Sequence, residues 1–200
     1  MTDKKWIAGK ERKEILHFTM SELSKGSSKE EIFNKLSEVY AEPDTLSSIL
    51  SYIPDPAVAR RYKGLSLILI LLLVANSLLE SWSALLILLS AIRPASYIIL
   101  IPCVVFNPLA NAFLAYGISK NMAGIYLLTA MAGLIGFLNS NSHLIAGYFQ
   151  AKKLLPFGHD VGLVLVVVIV LLAVAIKFLL YPYHGLFGPK KNKAGIALYQ

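Results

Sequence analysis

The chain has 200 residues, of which 56% are hydrophobic and only 16% are charged. An ordinary soluble domain is roughly 25% charged, so this composition excludes a uniformly soluble protein. The charges are also unevenly spread, because 21 of the 31 lie within residues 1–63. The sequence therefore predicts a polar N-terminal head followed by a membrane-embedded part.

The net charge of +7 does not indicate a nucleic-acid-binding protein. Residues 1–63 hold eleven basic and ten acidic side chains, so the head has no excess of charge for phosphates. The basic excess falls in the apolar part, where it reflects membrane orientation and anionic lipid. Cys103 is the only cysteine, which excludes an intramolecular disulfide and a cysteine-based metal site.

The first predicted helix of the head runs from about Lys10 to Leu23. Leu16, Met20 and Leu23 recur at helical spacing, so we expect them to face the core. Gly26 and Ser27 are expected to end this helix.

The second helix has a clear start, because Ser28 and Glu31 are spaced as a capping box. Its apolar residues recur at i, i+1, i+4, i+7 and i+8, which is one face of a helix. These predicted core residues are Ile32, Phe33, Leu36, Val39 and Tyr40.

The third helix is predicted to begin around Pro43–Asp44 and to bury Leu46, Ile49, Leu50 and Ile53. Pro54 ends it. Asp55 is a good N-cap and Pro56 suits a first helical turn, so a further helix is expected to start there and run directly into the membrane. Residues 1–55 are therefore interpreted as a three-helix cytoplasmic head.

Residues 56–188 are predicted to cross the membrane about four times, which makes the fold all-α and polytopic. The apolar runs lie at 65–92, 95–117, 122–138 and 161–181. A span needs about 20 residues, so the first run is too long for a simple span and too short for two. It is interpreted as one long, tilted or kinked helix, with a re-entrant pair as the alternative.

The distribution of basic residues predicts that both termini are cytoplasmic. Arg60, Arg61 and Lys63 precede the first span, Lys120 follows the second, and the tail 189–200 contains three lysines. Arg93, Lys152 and Lys153 fall on the outer side and argue against this topology, but the inner bases are more numerous. The predicted location is the inner cell membrane.

Glu80 is the main candidate for a functional polar residue inside the membrane. A carboxylate near mid-bilayer costs several kcal/mol unless it is paired, protonated or faces water. Its candidate partners are Arg93 and Lys177, although Lys177 lies near a helix end and can extend toward the headgroups. A structural hydrogen bond explains Glu80 equally well.

Asn107 and Asn111 form a second polar group, one helical turn apart around Pro108. Proline removes a helical hydrogen bond, so the second span is expected to bend there. Two asparagines on one face of a bent helix either line a cavity or bridge two helices.

The third span contains a row of small residues at i+4 spacing, namely Gly124, Ala132, Gly136 and Ser140. Small residues allow two helices to approach closely in a membrane. The row fits packing within one chain and contact between subunits equally well.

No catalytic signature, metal site or cofactor motif is found in the sequence. We therefore expect a non-enzymatic membrane subunit or scaffold, whose head docks a protein partner at a site that the sequence does not identify. Its partners would be the lipid bilayer and either another protein or further copies of itself, without nucleic acid. The alternative is a small oligomeric channel or transporter with a polar path through Glu80, Asn107 and Asn111.

Overall fold

The computed structural model of the chain describes residues 6–89, 95–140, 158–182, 184 and 190. Within the helices, side-chain surroundings are described for residues 9–79, 81–82, 105–135 and 162–180. These parts are helical, and the expected all-α class is confirmed for them. The helices are α1 Gly9–Ser24, α2 Lys29–Val39, α3 Pro43–Ser51, α4 Pro56–Arg61, α5 Lys63–Leu89, α6 Ala95–Ser119, α7 Ala123–Ser140 and α8 Gly158–Leu180.

The chain divides into two compact units. The first unit contains Met1–Tyr62 and Lys177–Gln200, and the second contains Lys63–Ile176. The head thus belongs to the same compact unit as the last turn of α8 and the residues after it.

Helix α1 ends at the expected glycine. Gly26 has a φ of 93°, a left-handed conformation that glycine adopts without steric cost. The amide of Ser27 donates to the carbonyl of Glu22 at 3.1 Å, and that of Gly26 donates to Leu23 at 3.1 Å. This pair of bonds is a Schellman motif, which satisfies the last carbonyls of the helix.

The predicted starts of α2 and α4 are confirmed. The Ser28 side chain accepts from the Glu31 amide at 3.2 Å, and the Ser28 amide donates to the Glu31 carboxylate at 3.2 Å. Asp55 Oδ1 accepts from the Ala57 amide at 2.7 Å at the start of α4. Each interaction satisfies an amide that has no partner inside its helix.

The head core contains most of the residues expected from α2 and α3. Ile49 and Phe33 pack at its edge, while Val39 is exposed, so its predicted burial is wrong. Val39 is the last residue of α2, where the chain leaves the helix before Tyr40 turns back into the core. The buried cluster comprises Ile15, Leu23, Ile32, Leu36, Tyr40, Leu46, Leu50 and Ile53.

The predicted core face of α1 is wrong by one position. Leu23 is buried as expected, but Leu16 is 38% exposed and Met20 is 49% exposed. Ile15 and Thr19 are buried in their place. The β-branched isoleucine and the small threonine let α1 lie close to α2 and α3, which two longer side chains would prevent.

The continuous helix expected from Pro56 into the first apolar run is also wrong. Helix α4 ends at Arg61, and α5 begins at Lys63. Tyr62 has φ −100° and ψ 9°, which departs from helical geometry. Gly64, two positions later in the first turn of α5, is a poor helix former because of its conformational freedom.

In the second unit, α6 packs mainly against α5 and then turns sharply into α7. Asn121 adopts a left-handed φ of 51° in that turn. The amides of Asn121 and Met122 donate to the carbonyls of Ile118 at 2.9 Å and Gly117 at 3.0 Å. This is a second Schellman motif.

Helix α6 runs through Pro108 as one helix, Ala95–Ser119, and α5 is one helix through position 89. Helix α7 approaches α8 at Gly133, where an added Cβ would lie 2.5 Å from Val170 Cγ2. Beside this contact, Leu134, Val166, Val167, Val170 and Leu171 line a shallow apolar groove of about 220 Å³.

Candidate functional site

Helix α1 carries an exposed apolar ridge, formed by Leu16 and Met20. The two side chains are four positions apart and therefore lie on one face of the helix. Both are exposed, while the neighbouring Thr19 is fully buried with no hydrogen-bond partner for its hydroxyl among the described residues. Burying an unbonded hydroxyl costs free energy, and exposing large apolar groups adds to that cost. Binding of another molecule over the ridge would bury these apolar side chains.

The ridge has basic neighbours. Arg12 and Lys13 lie one turn before Leu16 on the same helical face, and both are exposed. Among the described residues, no carboxylate forms an ion pair with either of them. The surface therefore combines an apolar strip with basic side chains that form no ion pair within the described residues, and this combination complements an apolar and acidic segment.

Lys29 is a buried lysine within the head, a feature that the sequence pattern did not predict. Its Nζ donates to the carbonyls of Leu50 at 3.0 Å and Ile53 at 2.6 Å, at the C-terminal end of α3. Burial lowers the pKa of Lys29 to about 8, and the nearby Asp55 carboxylate partly opposes this effect. Lys29 thereby fixes the corner between α3 and α4 from the first turn of α2.

Glu22 joins α1 to α2 through two ion pairs. Its carboxylate oxygens lie 2.8 Å from the ammonium groups of Lys25 and Lys35. The hydrogen bonds to these two lysines lower the pKa of Glu22 to about 2, and the bond to Glu22 raises the pKa of Lys35. Because both lysines are exposed, solvent screens these pairs and their effect on stability is small.

The first unit also contains the predicted polar residue Lys177. Lys177 lies in the last turn of α8, is buried, and places its Nζ 4.9 Å from the ring centroid of Phe178. Further along, the buried ring of His184 lies against Tyr52 of the head, with the ring centroids 4.3 Å apart. His184 therefore packs directly on the head.

Asn107 and Asn111 lie on the inner side of α6. Asn111 is 9% exposed and Asn107 is half-buried, on the same face as the buried Leu114 and Ile118. The Nδ2 amide of Asn111 has no hydrogen-bond partner within the described part of the chain. A buried amide donor of this kind can bind a polar group that enters the bundle.

The remaining predicted polar residues lie outside the described residues. Glu80 falls within α5, but its side chain is not among those described, and Arg93 lies wholly outside. Gly136 and Ser140 fall within α7 in the same way as Glu80. No group of three or more metal-binding side chains occurs in the described ranges.

The first half of the small-residue row on α7 is exposed. Gly124 and Ala132 lie on the surface together with Leu128, and no described atom comes within 4 Å of a Cβ built at Gly124. The close approach of α7 to α8 uses the adjacent Gly133 instead. Among the described residues, the contact of α7 with α8 therefore leaves Gly124 and Ala132 exposed.

Sequence reasoning missed a buried hydrogen-bond network at one end of the second unit. The Tyr126 hydroxyl of α7 lies 3.3 Å from Ser66 Oγ of α5 and 3.2 Å from Asn121 Oδ1 of the turn. Ser66 and Tyr126 are both buried. The polar positions in otherwise apolar runs were a signal, but 60 positions separate Ser66 from Tyr126, so their pairing could not be predicted from local spacing.

Only part of the predicted four-span topology is supported by helix length and apolarity. Among the described helices, Gly162–Leu180 is long and apolar enough to cross a membrane. A second qualifies only if Pro43–Arg61 and Lys63–Leu79 count as one broken span.

Comparison with known proteins assigns no family to this chain. No protein-family model matches it, and no curated protein or solved structure matches it significantly.

Proposed function

We propose that this protein is a non-enzymatic subunit of a membrane complex, and that its head docks a partner protein through the Leu16–Met20 ridge. The observation that carries the proposal is the phase of α1, which buries Thr19 and exposes Leu16 and Met20. The partner segment is an amphipathic helix with acidic residues beside its apolar face, because Arg12 and Lys13 flank the ridge.

The membrane part of the proposal rests on the surface of the second unit. Large apolar side chains are exposed on each of its helices, with Leu71, Phe106, Leu134 and Leu171 as examples. Apolar surface of this extent is expected to face lipid. In the apolar window of α8, 28% of the residues are buried, whereas the core helix of a soluble protein is mostly buried. Four spans, α5 to α8, would bury these surfaces in a bilayer.

The proposed topology places the head and the end of α8 on the cytoplasmic side of the inner membrane. The contact between Tyr52 and His184 supports this arrangement, because both rings belong to one compact unit. The inner clusters of lysine and arginine favour the same orientation. An odd number of spans would separate the two rings by a bilayer.

The bundle is proposed to associate with another subunit through the exposed row on α7. Gly124 and Ala132 present little side-chain bulk on this surface, so a neighbouring membrane helix can approach closely.

The test of docking uses the tagged, full-length protein, gently extracted from the membranes of its host and analysed by native mass spectrometry. We expect a second polypeptide at fixed stoichiometry. The double variant Leu16→Gln/Met20→Gln should lose it, while Val39→Gln, at an exposed apolar position on α2, should retain it.

A photoreactive residue at position 20 should also cross-link to an acidic amphipathic segment of that polypeptide. A lone monomer in native membranes, or a partner retained by the double variant, would contradict the proposal.

The second candidate function is a small oligomeric channel or transporter with a polar path through Glu80, Asn107 and Asn111. The buried Nδ2 amide of Asn111 favours it, because this donor lacks a partner in the described part of the chain. A homo-oligomer of four or more copies would support this function. Solute or ion flux in liposomes should then fall in Glu80→Gln and Asn111→Leu, and flux unchanged in both would rule out the path.

A further inference from the structure

The end of the second unit that contains the Ser66–Tyr126 network also carries exposed basic residues. Lys63 is one helical turn before Ser66, and Lys120 is adjacent to Asn121. Because the Tyr126 hydroxyl contacts both Ser66 and Asn121, the start of α5 and the end of α6 lie at the same end of the unit. Both lysines are exposed there.

An aromatic side chain accompanies these lysines. The Lys120 Nζ lies 5.8 Å from the ring centroid of Tyr116, which is itself largely exposed one turn earlier on α6. Exposed tyrosine beside lysine is the combination found at the boundary between a bilayer and water. The aromatic ring suits the interfacial layer, and the ammonium groups suit the headgroups.

The described residues of the second unit form no ion pair with the lysines at this end. Glu80 is the only acidic residue between positions 56 and 157. Among the described residues, ion pairs occur only between Glu22 and its two lysines in the head. Within the described part of the chain, Lys63 and Lys120 therefore form no ion pair, and the segment that contains Lys120 has a single acidic residue.

We propose that Lys63, Lys120 and Tyr116 form a basic rim that binds the headgroups of anionic phospholipids in the cytoplasmic leaflet. This inference rests on the membrane part of the proposed function and names the lipid class involved. Each lysine near an anionic surface contributes about 1 kcal/mol, so the two lysines together correspond to about a 30-fold preference. The network beneath them holds both lysines at one level.

The test measures lipid binding to the purified full-length chain in neutral detergent at about 0.15 M salt, where charges beyond roughly 8 Å are screened. Phosphatidylglycerol and phosphatidylcholine with identical acyl chains are titrated, and bound lipid is counted by native mass spectrometry. We expect the preference for phosphatidylglycerol to fall about 30-fold in Lys63→Gln/Lys120→Gln. Lys63→Arg/Lys120→Arg should retain it, because the charge is kept.

The control variant is Lys10→Gln/Lys25→Gln, which removes two exposed charges from the head but none that flank the α1 ridge. Equal losses in the control and the rim variant would overturn the inference in favour of a general charge effect, and a wild-type chain without lipid preference would also overturn it. Inorganic phosphate that abolished the preference at constant ionic strength would overturn it in favour of a soluble ligand. None of these results affects partner binding at the α1 ridge, so failure here is distinguishable from failure of the docking proposal.

Discussion

Truncation of Ile15 tests the observed packing of the head against the packing that the sequence pattern predicts. Ile15 is 1% exposed between α1 and the other head helices. Ile15→Ala removes three carbon atoms at about 0.8 kcal/mol each and leaves a cavity, for a total of about 3 kcal/mol. Met20→Ala removes a similar volume from a half-exposed position and should cost less than about 1 kcal/mol.

The assay is hydrogen–deuterium exchange of the full-length chain in micelles, followed at the amides of α2 and α3. In Ile15→Ala, a loss of about 3 kcal/mol should make the amides that exchange only when the head opens exchange about 150-fold faster. In Met20→Ala the acceleration should stay within about fivefold. A larger effect for Met20→Ala than for Ile15→Ala would refute the observed phase of α1 and, with it, the exposed ridge.

Three further predictions concern the ionisable and polar groups. Burial lowers the pKa of Lys29 to about 8, so between about pH 8 and 10.5 the unfolded chain binds more protons than the folded chain. The free energy of unfolding of the head should therefore rise by up to about 3 kcal/mol as pH increases through this range, which urea unfolding can measure. Because the pKa of Glu22 is lowered, its ion pairs should stabilise the head above about pH 4.5, and this stabilisation should be lost as pH falls toward 2. The same contribution should be absent in Glu22→Gln and weaker at high salt. Tyr126→Phe leaves Ser66 without its partner and should destabilise the second unit by about 1–3 kcal/mol in thermal unfolding, whereas Tyr116→Phe should not.

Local signals explain where prediction from the sequence succeeded. The capping box of Ser28 and Glu31, the N-cap Asp55 and the left-handed Gly26 each depend on residues within five positions of one another. Such interactions form in the same way regardless of the tertiary fold. For this reason the boundaries of the head helices were predicted to within a few residues.

The face of α1 was not predictable in the same way. Ile15 with Thr19 and Leu16 with Met20 form two adjacent ridges, about 100° apart around the helix. Apolarity alone favours the second ridge, and only the shape of α2 and α3 selects the first. The candidate docking site could therefore not be predicted from the sequence, since it consists of residues that the pattern assigned to the core.

Long-range polar contacts were the other limit. Lys29 reaches the carbonyls of Leu50 in α3 and Ile53 just after it across 21 and 24 positions, and Ser66 meets Tyr126 across 60. Neither lysine nor serine carries a sequence mark that identifies such a partner. The apolar segments, in contrast, were located as helices from composition alone because each is long and predominantly apolar.

The packing of His184 on Tyr52 sets an order for biosynthesis. The head is made first, but residues 177–200 of the same compact unit are made only after the second unit. The 115 positions from Tyr62 to Lys177 take on the order of ten seconds to translate at about 5–20 residues per second. During this interval Tyr52 lacks its histidine neighbour, so the nascent head remains unfinished until the last apolar helix has been synthesised. A chain that stops before His184 lacks this contact permanently.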